Sequence, residues 1–576
     1  MTLPSKTNLT LISWLASRTP DQLRRVAAAR ALRPEDCRSF RTIADALLEK
    51  ASIETALSSL PRSALLGLAN LSPTSPLLTE MALMDADSEE PQLLCEPELL
   101  EPLSHLTSSD TPPALRTAAP LTAKEAKAQA ARALSLVIEL GDLLDAMEHS
   151  SLAVTQDGFL TATGSKTLEA VLGAGYQIPL LWELGTKLGL IGNRGNTAAL
   201  TTLAATWREL DDRARWNHCA LSWWALAPQW LVDVVSTQPQ VSWGDSLERL
   251  IRFAYPLLEP SQTLEHLVRE AEALGLVHGG KPSPLGESVF HGKNPSSVVS
   301  ELWPESVEGV YSNEDFTLLA TGPLSPEHRT ILNSLAVREL GGLVPRYRVQ
   351  RASLLGAIQH GLPADSIRSL MESVSLNPLP AGVVALIEDV GRRAHDLEIR
   401  AQGENSLITA GNEMVAKELL SDPALVVLGL RAVGDNQLRC AWPAERVHFT
   451  LLGASYPALL VDESGNPVRA TESRAEESDD NQSAALEAAL DMLCASAAEA
   501  AAKGVPAGIA SIIEVATESK TPLEIVVTMP DGSAAVMVME PRSLSAGRLR
   551  GVELKHQVEK TLPVSHITSI RAAVPA

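Results

Sequence analysis

The clearest group of side chains that could bind a ligand is a short basic stretch near the middle of the chain. Three arginines flank one tyrosine: Arg346, Tyr347, Arg348 and Arg351. In a β-strand Arg346 and Arg348 would share one face, because side chains alternate between the two faces. Guanidinium groups bind phosphate, and an aromatic ring can stack on a base. The stretch predicts contact with a nucleic acid; surface arginines paired with acids such as Glu339 are the alternative.

A second, weaker excess of positive charge lies near the end of the chain. Between Lys520 and Arg571, basic residues outnumber acidic ones by two. Such an excess can attract an anionic partner. The candidate contacts there are Arg542, Arg548, Arg550 and Lys555.

The chain as a whole is acidic. It has 576 residues with 48 Lys and Arg against 70 Asp and Glu, a net charge of −22. That charge opposes non-specific binding to a phosphate backbone, so it excludes a uniformly basic nucleic-acid coat protein. Any contact with nucleic acid must be local, and a protein partner becomes a rival to DNA.

The sequence contains no recognisable active-site motif. The nearest approach to a phosphate-binding loop begins at Gly158, but five residues precede Gly164, and Ser165 then puts Lys166 out of register. The twelve His form no HExxH, HxH or Cys/His cluster, and no GxSxG occurs. We therefore expect no enzymatic activity, no catalytic residue, no metal and no cofactor.

The cysteines and the N-terminus indicate the compartment. Five cysteines are scattered without a CxxC pair, which predicts buried, reduced thiols rather than disulfides or a zinc site. The first residues make a poor signal peptide, and no run of about 18 apolar residues occurs. These patterns predict a cytoplasmic protein with no membrane partner.

The first half of the chain reads as helical. Residues 1–105 predict short helices broken by proline, with Thr19 as a helix cap, and 106–122 predict a Ser/Thr/Pro linker. Residues 123–300 twice show a helix followed by a short hairpin, the outline of winged-helix units. Seven of the ten tryptophans fall within residues 182–243, and they predict either a helical core between the two units or a base-stacking surface: Trp182, Trp207, Trp216, Trp223, Trp224, Trp230 and Trp243.

The second half predicts further modules. Residues 310–460 form one unit, 461–481 an acidic linker, 482–504 a helix, and 505–576 strands around Asp531-Gly532 that suggest a small antiparallel barrel. The predicted fold class is multidomain, mainly α with α+β modules.

Residues 310–460 resemble the N-terminal domain of XPB-type DNA helicases, found also in actinobacterial proteins that lack the motor. The matching segments are 312–319 (SNEDFTLL), 347–354 (YRVQRASL), 356–362 (GAIQHGL), 375–380 (SLNPLP) and 422–425 (DPAL). In full helicases this domain precedes two motor domains and is implicated in gripping distorted DNA. The resemblance implies an α/β domain associated with DNA.

The last segment resembles a WYL-type domain, an SH3-like β barrel of bacterial regulators. The matching segments are 522–539, 541–544 (PRSL) and 564–567 (VSHI). The family implies a nucleic-acid or nucleotide ligand.

Together these resemblances predict a non-enzymatic, DNA-associated protein without a helicase motor, acting in transcription regulation or DNA repair. Arg346→Ala with Arg348→Ala should weaken its salt-sensitive binding. Two alternatives stay open: a scaffold for a separate helicase or polymerase partner, and a WYL-type ligand sensor.

Overall fold

The computed structural model describes most of the chain. The described residues are 6–72, 75–85, 91–114, 118–148, 150, 152–155, 158–173, 175–359, 362–393, 397–403, 405–454, 456, 458–462, 465, 468, 481–502, 508–529 and 533–573. The predicted acidic linker falls almost entirely outside them, as does the Asp531-Gly532 turn.

Helices and short strands alternate along the chain. The α-helices are α1 (Lys6–Ala16), α2 (Pro20–Ala29), α3 (Phe40–Leu48), α4 (Lys50–Ser58), α5 (Arg62–Ala69), α6 (Leu77–Glu80), α7 (Ala123–Glu148), α8 (Ala162–Leu172), α9 (Ile178–Lys187), α10 (Thr202–Glu209), α11 (Asp212–Ala225), α12 (Gln229–Thr237), α13 (Asp245–Ala254), α14 (Ser261–Ala273), α15 (Pro284–Phe290), α16 (Ser296–Leu302), α17 (Pro326–Leu335), α18 (Arg351–Gln359), α19 (Ala364–Val374), α20 (Ala381–Arg393), α21 (Glu413–Ser421), α22 (Ala444–Gly453), α23 (Asn481–Ala502) and α24 (Ile509–Ser519). The strands are β1 (Met84–Asp85), β2 (Gln92–Leu93), β3 (Ile191–Arg194), β4 (Thr197–Leu200), β5 (Val277–His278), β6 (Lys281–Pro282), β7 (Val310–Ser312), β8 (Thr317–Ala320), β9 (Val337–Leu340), β10 (Arg346–Arg348), β11 (Leu397–Gln402), β12 (Asn405–Ala410), β13 (Arg431–Ala432), β14 (Gln437–Cys440), β15 (Leu459–Val461), β16 (Leu523–Thr528), β17 (Ala534–Ser545), β18 (Arg548–Glu553), β19 (Val558–Pro563) and β20 (Ile567–Ala572). The chain is therefore of mixed α and β structure.

The chain divides into two compact units, each built from segments distant in sequence. The terminal unit comprises Met1–Thr117, Pro228–His266 and Asp479–Ala576. The central unit comprises Ala118–Ala227 and Leu267–Ser478. The domain boundaries predicted from the sequence are finer than this division.

The terminal unit joins N-terminal helices to the C-terminal sheet. Residues of α1, α3, α24 and β16 share one hydrophobic core, in which Ile12, Ile513 and Ile525 are fully buried. Thr19 caps α2, as predicted, because its hydroxyl accepts the Gln22 amide while the Gln22 side chain accepts the Thr19 amide. Segments that the sequence prediction assigns to separate domains thus pack around one core.

The C-terminal strands form an open sheet, not the predicted barrel. Their order is β19-β18-β17-β16-β20, and no pairing joins the two edge strands among the described residues. Helix α24 packs on β17 and α1 on β20, so helices bury the apolar face and strand closure is not needed. The register shifts at Pro541, which cannot donate a ladder hydrogen bond.

Most of the clustered tryptophans are buried in the protein core, and the most deeply buried ones belong to the central unit. Trp207, Trp216 and Trp223 are at most 1% exposed. Each indole N–H donates to an acceptor within the protein; for Trp223 this is a carboxylate oxygen of Glu270, 2.7 Å away. Trp182 of the same unit and Trp243 of the terminal unit are buried as well. The core interpretation of these five tryptophans is confirmed, and a stacking surface built from them is excluded.

Two larger sheets follow in the central unit. The first has the strand order β7-β8-β10-β9, and its core includes residues of α17 to α20. The second has the order β13-β14-β12-β11-β15, with α21 and α22 packed against it. These two sheets position the arginines discussed below.

Candidate functional site

The basic stretch lies on β10, between β8 and β9 in the first large sheet. Strand alternation places Arg346 and Arg348 on one face and Tyr347 on the other, as the sequence predicts for the two arginines. Arg351 follows as the first residue of α18. The structure therefore brings the three arginines to one region.

Tyr347 points into the protein. Its side chain is 0% exposed, and among the described residues its hydroxyl has no hydrogen-bond partner. Burial raises the pKa of the phenol to about 12. The ring cannot stack on a base without leaving the core, so the geometry argues against the predicted stacking role of Tyr347.

One carboxylate serves both arginines of β10. Glu339 forms ion pairs with Arg346, at 3.0 Å, and with Arg348. The pairing register skips Glu339 between Arg338 and Leu340, and alternation from the inward Arg338 places its side chain on the arginine face. The hydrogen bond from Arg348 is the main reason that the pKa of Glu339 lies below its ordinary value.

The remaining arginines of this segment are also paired. Arg351 lies 2.5 Å from the carboxylate of Asp389. Arg338 turns inward and pairs with Asp142, which is 4% exposed and also accepts a hydrogen bond from Tyr176. The predicted phosphate-binding stretch is therefore largely neutralised by the protein's own carboxylates.

The C-terminal candidates lie in the terminal unit and do not form one cluster. Arg542 pairs with Glu540 and Arg550 with Glu559. Arg548 and Lys555 are exposed and make no ion pair within the described residues. Arg548 begins β18 and Lys555 follows its end, so the strand of about 17 Å lies between them.

The helices of the winged-helix outline offer few free cations. Lys187 at the end of α9 lies 2.6 Å from Glu270 of α14, which is 1% exposed. Arg269 lies 3.6 Å from Glu183. These helices therefore direct their basic groups at each other's acids.

The remaining sequence predictions concern sites that the chain should lack. In the described ranges, no group of three or more His, Cys, Asp or Glu side chains is arranged to hold a metal ion. Cys37, Cys95, Cys219 and Cys440 are buried, Cys494 is partly buried, and all five are free, as predicted. Burial raises the pKa of Cys37 and Cys95 to about 11. Over the same ranges, no helix has the length and apolarity needed to cross a membrane.

The glycine-rich segment near residue 160 is used as a helix cap. The Thr161 hydroxyl accepts the Gly164 amide at 3.2 Å and starts α8. Lys166 lies inside this helix, beyond its first turn. This geometry differs from a phosphate-binding loop, in which the glycine-rich turn leaves its amides free for the ligand.

A group of arginines that the sequence prediction missed lies on the second large sheet. Arg400 of β11, Arg431 of β13 and Arg439 of β14 stand in one line across the strands, which we call the arginine row. The spacing of Arg431 and Arg439 around a turn could have suggested a hairpin pair. Nothing local in the sequence connects them to Arg400.

Comparison with known proteins finds one family match. Residues 310–434 match the family described as helicase conserved C-terminal domain, about a fifth of the chain. No curated protein matches the chain. The match relates this part of the chain to helicases and hence to nucleic-acid-related proteins. It contains the basic stretch and two of the three arginines of the row.

Proposed function

We propose that this chain is a non-enzymatic, DNA-associated protein without a helicase motor, acting in transcription regulation or DNA repair. The family match over residues 310–434 carries the proposal, because it relates the segment with the first large sheet and three strands of the second to helicases. The sequence supports the lack of a motor, since the nearest approach to a Walker A loop is out of register.

The finer modules of this proposal come from the sequence. They are an XPB N-terminal-like domain at 310–460, winged-helix units within 123–300 and a WYL-like domain at 505–576, in a cytoplasmic protein. The order α8, α9, β3, β4 supports the first winged unit, and an antiparallel bridge joins Ala153 to Thr197 beside that hairpin.

The test is a titration of the wild-type chain against labelled DNA, followed by fluorescence anisotropy. Binding should weaken steeply as salt rises, because phosphate contacts release counterions. ATP hydrolysis measured with and without DNA should stay at background. No DNA binding at low salt, or DNA-stimulated hydrolysis, would refute the proposal.

A second candidate function is a scaffold for a separate helicase or polymerase. It is favoured because carboxylates of the protein already pair with most of the candidate basic side chains, which leaves fewer of them for phosphate. The net charge is −22, and Glu339, Asp389 and Glu270 occupy most of the basic groups near the candidate surfaces. Capture of a partner from lysate that survives nuclease treatment would support a protein interface. Capture that nuclease abolishes would support DNA.

A further inference from the structure

We propose that the arginine row binds the sugar–phosphate backbone of a single nucleic-acid strand across the outward face of the second large sheet. The inference rests on the proposed association with DNA and assigns it a site. The site differs from the basic stretch that the sequence predicts.

The strand register places the three arginines in one line. Arg431 is opposite Arg439, Arg439 is opposite Leu407, and Leu407 is opposite Arg400. Residues directly opposite one another share a face of the sheet. The row spans three strand intervals, about 14 Å at the usual strand spacing.

The row lies on the face opposite the hydrophobic core. Along β12 and β14 the alternate residues Ile408, Leu438 and Cys440 are buried in the core with α21 and α22. Arg431 and Arg439 are exposed, and Arg400 is half-buried. At the far end of the line Val461 is buried in the core of the first large sheet, which closes one side of the face.

The three guanidinium groups have no counterion in the part of the chain that the structure describes. None of them forms an ion pair or a side-chain hydrogen bond with any residue the structure describes, and the Nε of Arg400 is buried without an acceptor. Arg431 stands directly opposite Arg439, and like charges in that position destabilise a sheet. A polyanion across the row would relieve the repulsion and supply the missing acceptor.

The rest of this face suits a single strand. The strands contribute one acid there, Glu398, which lies two residues from Arg400 on β11 and has an interaction of its own. Gln437 and Thr409 flank the row with polar groups, while Leu407 offers an apolar contact at its centre. In some nucleic-acid-binding modules the exposed face of a β-sheet binds a single strand, whose bases are accessible. Among the described strand residues of this face none is aromatic, so we expect little base preference.

The test replaces the row with neutral side chains of similar length in the full chain. Arg400→Gln, Arg431→Gln and Arg439→Gln are combined, and anisotropy is read with a fluorescein-labelled thymidine oligomer of about 16 nucleotides. Three lost phosphate contacts should weaken binding about 100-fold at 0.1 M salt. The charge-matched control combines Arg346→Gln, Arg348→Gln and Arg351→Gln, and should change affinity less than about threefold, since acids already neutralise those cations.

The outcomes separate this site from the proposed function. If the wild-type chain binds and the row variant binds equally well, the site is refuted while DNA association stands. Equal losses in both variants would also refute it, because net charge alone would then explain the effect. If the wild-type chain does not bind, both inferences fail. Tighter binding of a duplex of the same length would refute the single-strand assignment, and tighter binding of a uridine oligomer would refute DNA as the partner.

Discussion

The central unit carries two groups of three arginines, which differ in how close they are in sequence and in whether carboxylates pair with them. The arginines of the basic stretch are close in sequence, and each has a carboxylate partner. Those of the arginine row are scattered over forty positions, and none of them forms an ion pair with a residue that the structure describes. A cluster of arginines in the sequence therefore does not by itself predict unpaired positive charge on the protein surface.

The difference has a local structural cause. In the first sheet Glu339 on the neighbouring strand β9 shares a face with Arg346 and Arg348 and pairs with both. In the second sheet the register aligns Arg431 with Arg439. The first sheet thus neutralises Arg346 and Arg348. The second sheet keeps Arg431 and Arg439 opposite each other, and an anionic ligand would reduce their repulsion.

The largest expected effect is on stability, from Arg338 on β9, the strand that pairs with the basic stretch. Arg338→Met leaves the buried carboxylate of Asp142 without its cation and should lower the free energy of unfolding by about 3–5 kcal/mol. Urea denaturation followed by fluorescence measures it. Arg439→Met, on the exposed row, should stay within about 0.5 kcal/mol. If both substitutions lowered the free energy of unfolding equally, the contrast between a buried, paired Arg338 and an exposed, unpaired Arg439 would be refuted.

The next prediction concerns the carboxylate that neutralises the basic stretch. Glu339→Gln frees Arg346 and Arg348 and should raise affinity for the thymidine oligomer up to about fivefold at 0.1 M salt, the gain from one added phosphate contact. Anisotropy titration measures it. Adding Arg346→Gln and Arg348→Gln should remove the gain. A gain that persists in this background would show that Glu339 acts by general charge rather than through its partners.

A smaller effect is expected from relieving the repulsion in the row. Arg431→Thr removes one of two opposed like charges and places a β-branched residue in the strand, so it should stabilise the chain by about 0.5 kcal/mol while weakening binding. Urea denaturation and anisotropy on the same protein measure both. Loss of stability would contradict the claim that Arg431 and Arg439 repel each other.

The smallest effect is a titration shift. The pKa of Glu339 is lowered, so its pairing contributes to stability above the unfolded-state pKa of about 4.3 and is lost as pH falls through the lower folded value. Carboxyl NMR should show Glu339 titrating below 4.3, and Arg348→Gln should return it toward that value. An unchanged pKa in this variant would assign the shift to another group.

Local features of the fold were predictable, and contacts between distant segments were not. Thr19 and the hairpin of β16 and β17 follow from capping and alternation, which are encoded within a few residues. Strand β19 was harder to predict, because Val558, Glu559 and Lys560 give it the sequence of a polar surface segment. The open C-terminal sheet depends on α1, some 500 residues away.

The same limit applies to the candidate site. Alternation on β10 predicted the shared face of Arg346 and Arg348, but an aromatic between two arginines fits an inward Tyr347 as well as a stacking one. The row depends on the pairing of β11 with β12 and of β12 with β14, a non-local register that single-sequence patterns do not reveal.

The salt dependence of oligomer binding tests the central claim most directly, because its slope counts phosphate contacts. Plotting log affinity against log salt for the wild-type chain and both triple variants compares the two groups at equal net charge. We predict that the row variant loses about 2 from the magnitude of the slope, at about 0.7 per contact, while the basic-stretch variant keeps the wild-type slope. A lower slope in the basic-stretch variant with a wild-type slope in the row variant would contradict the account.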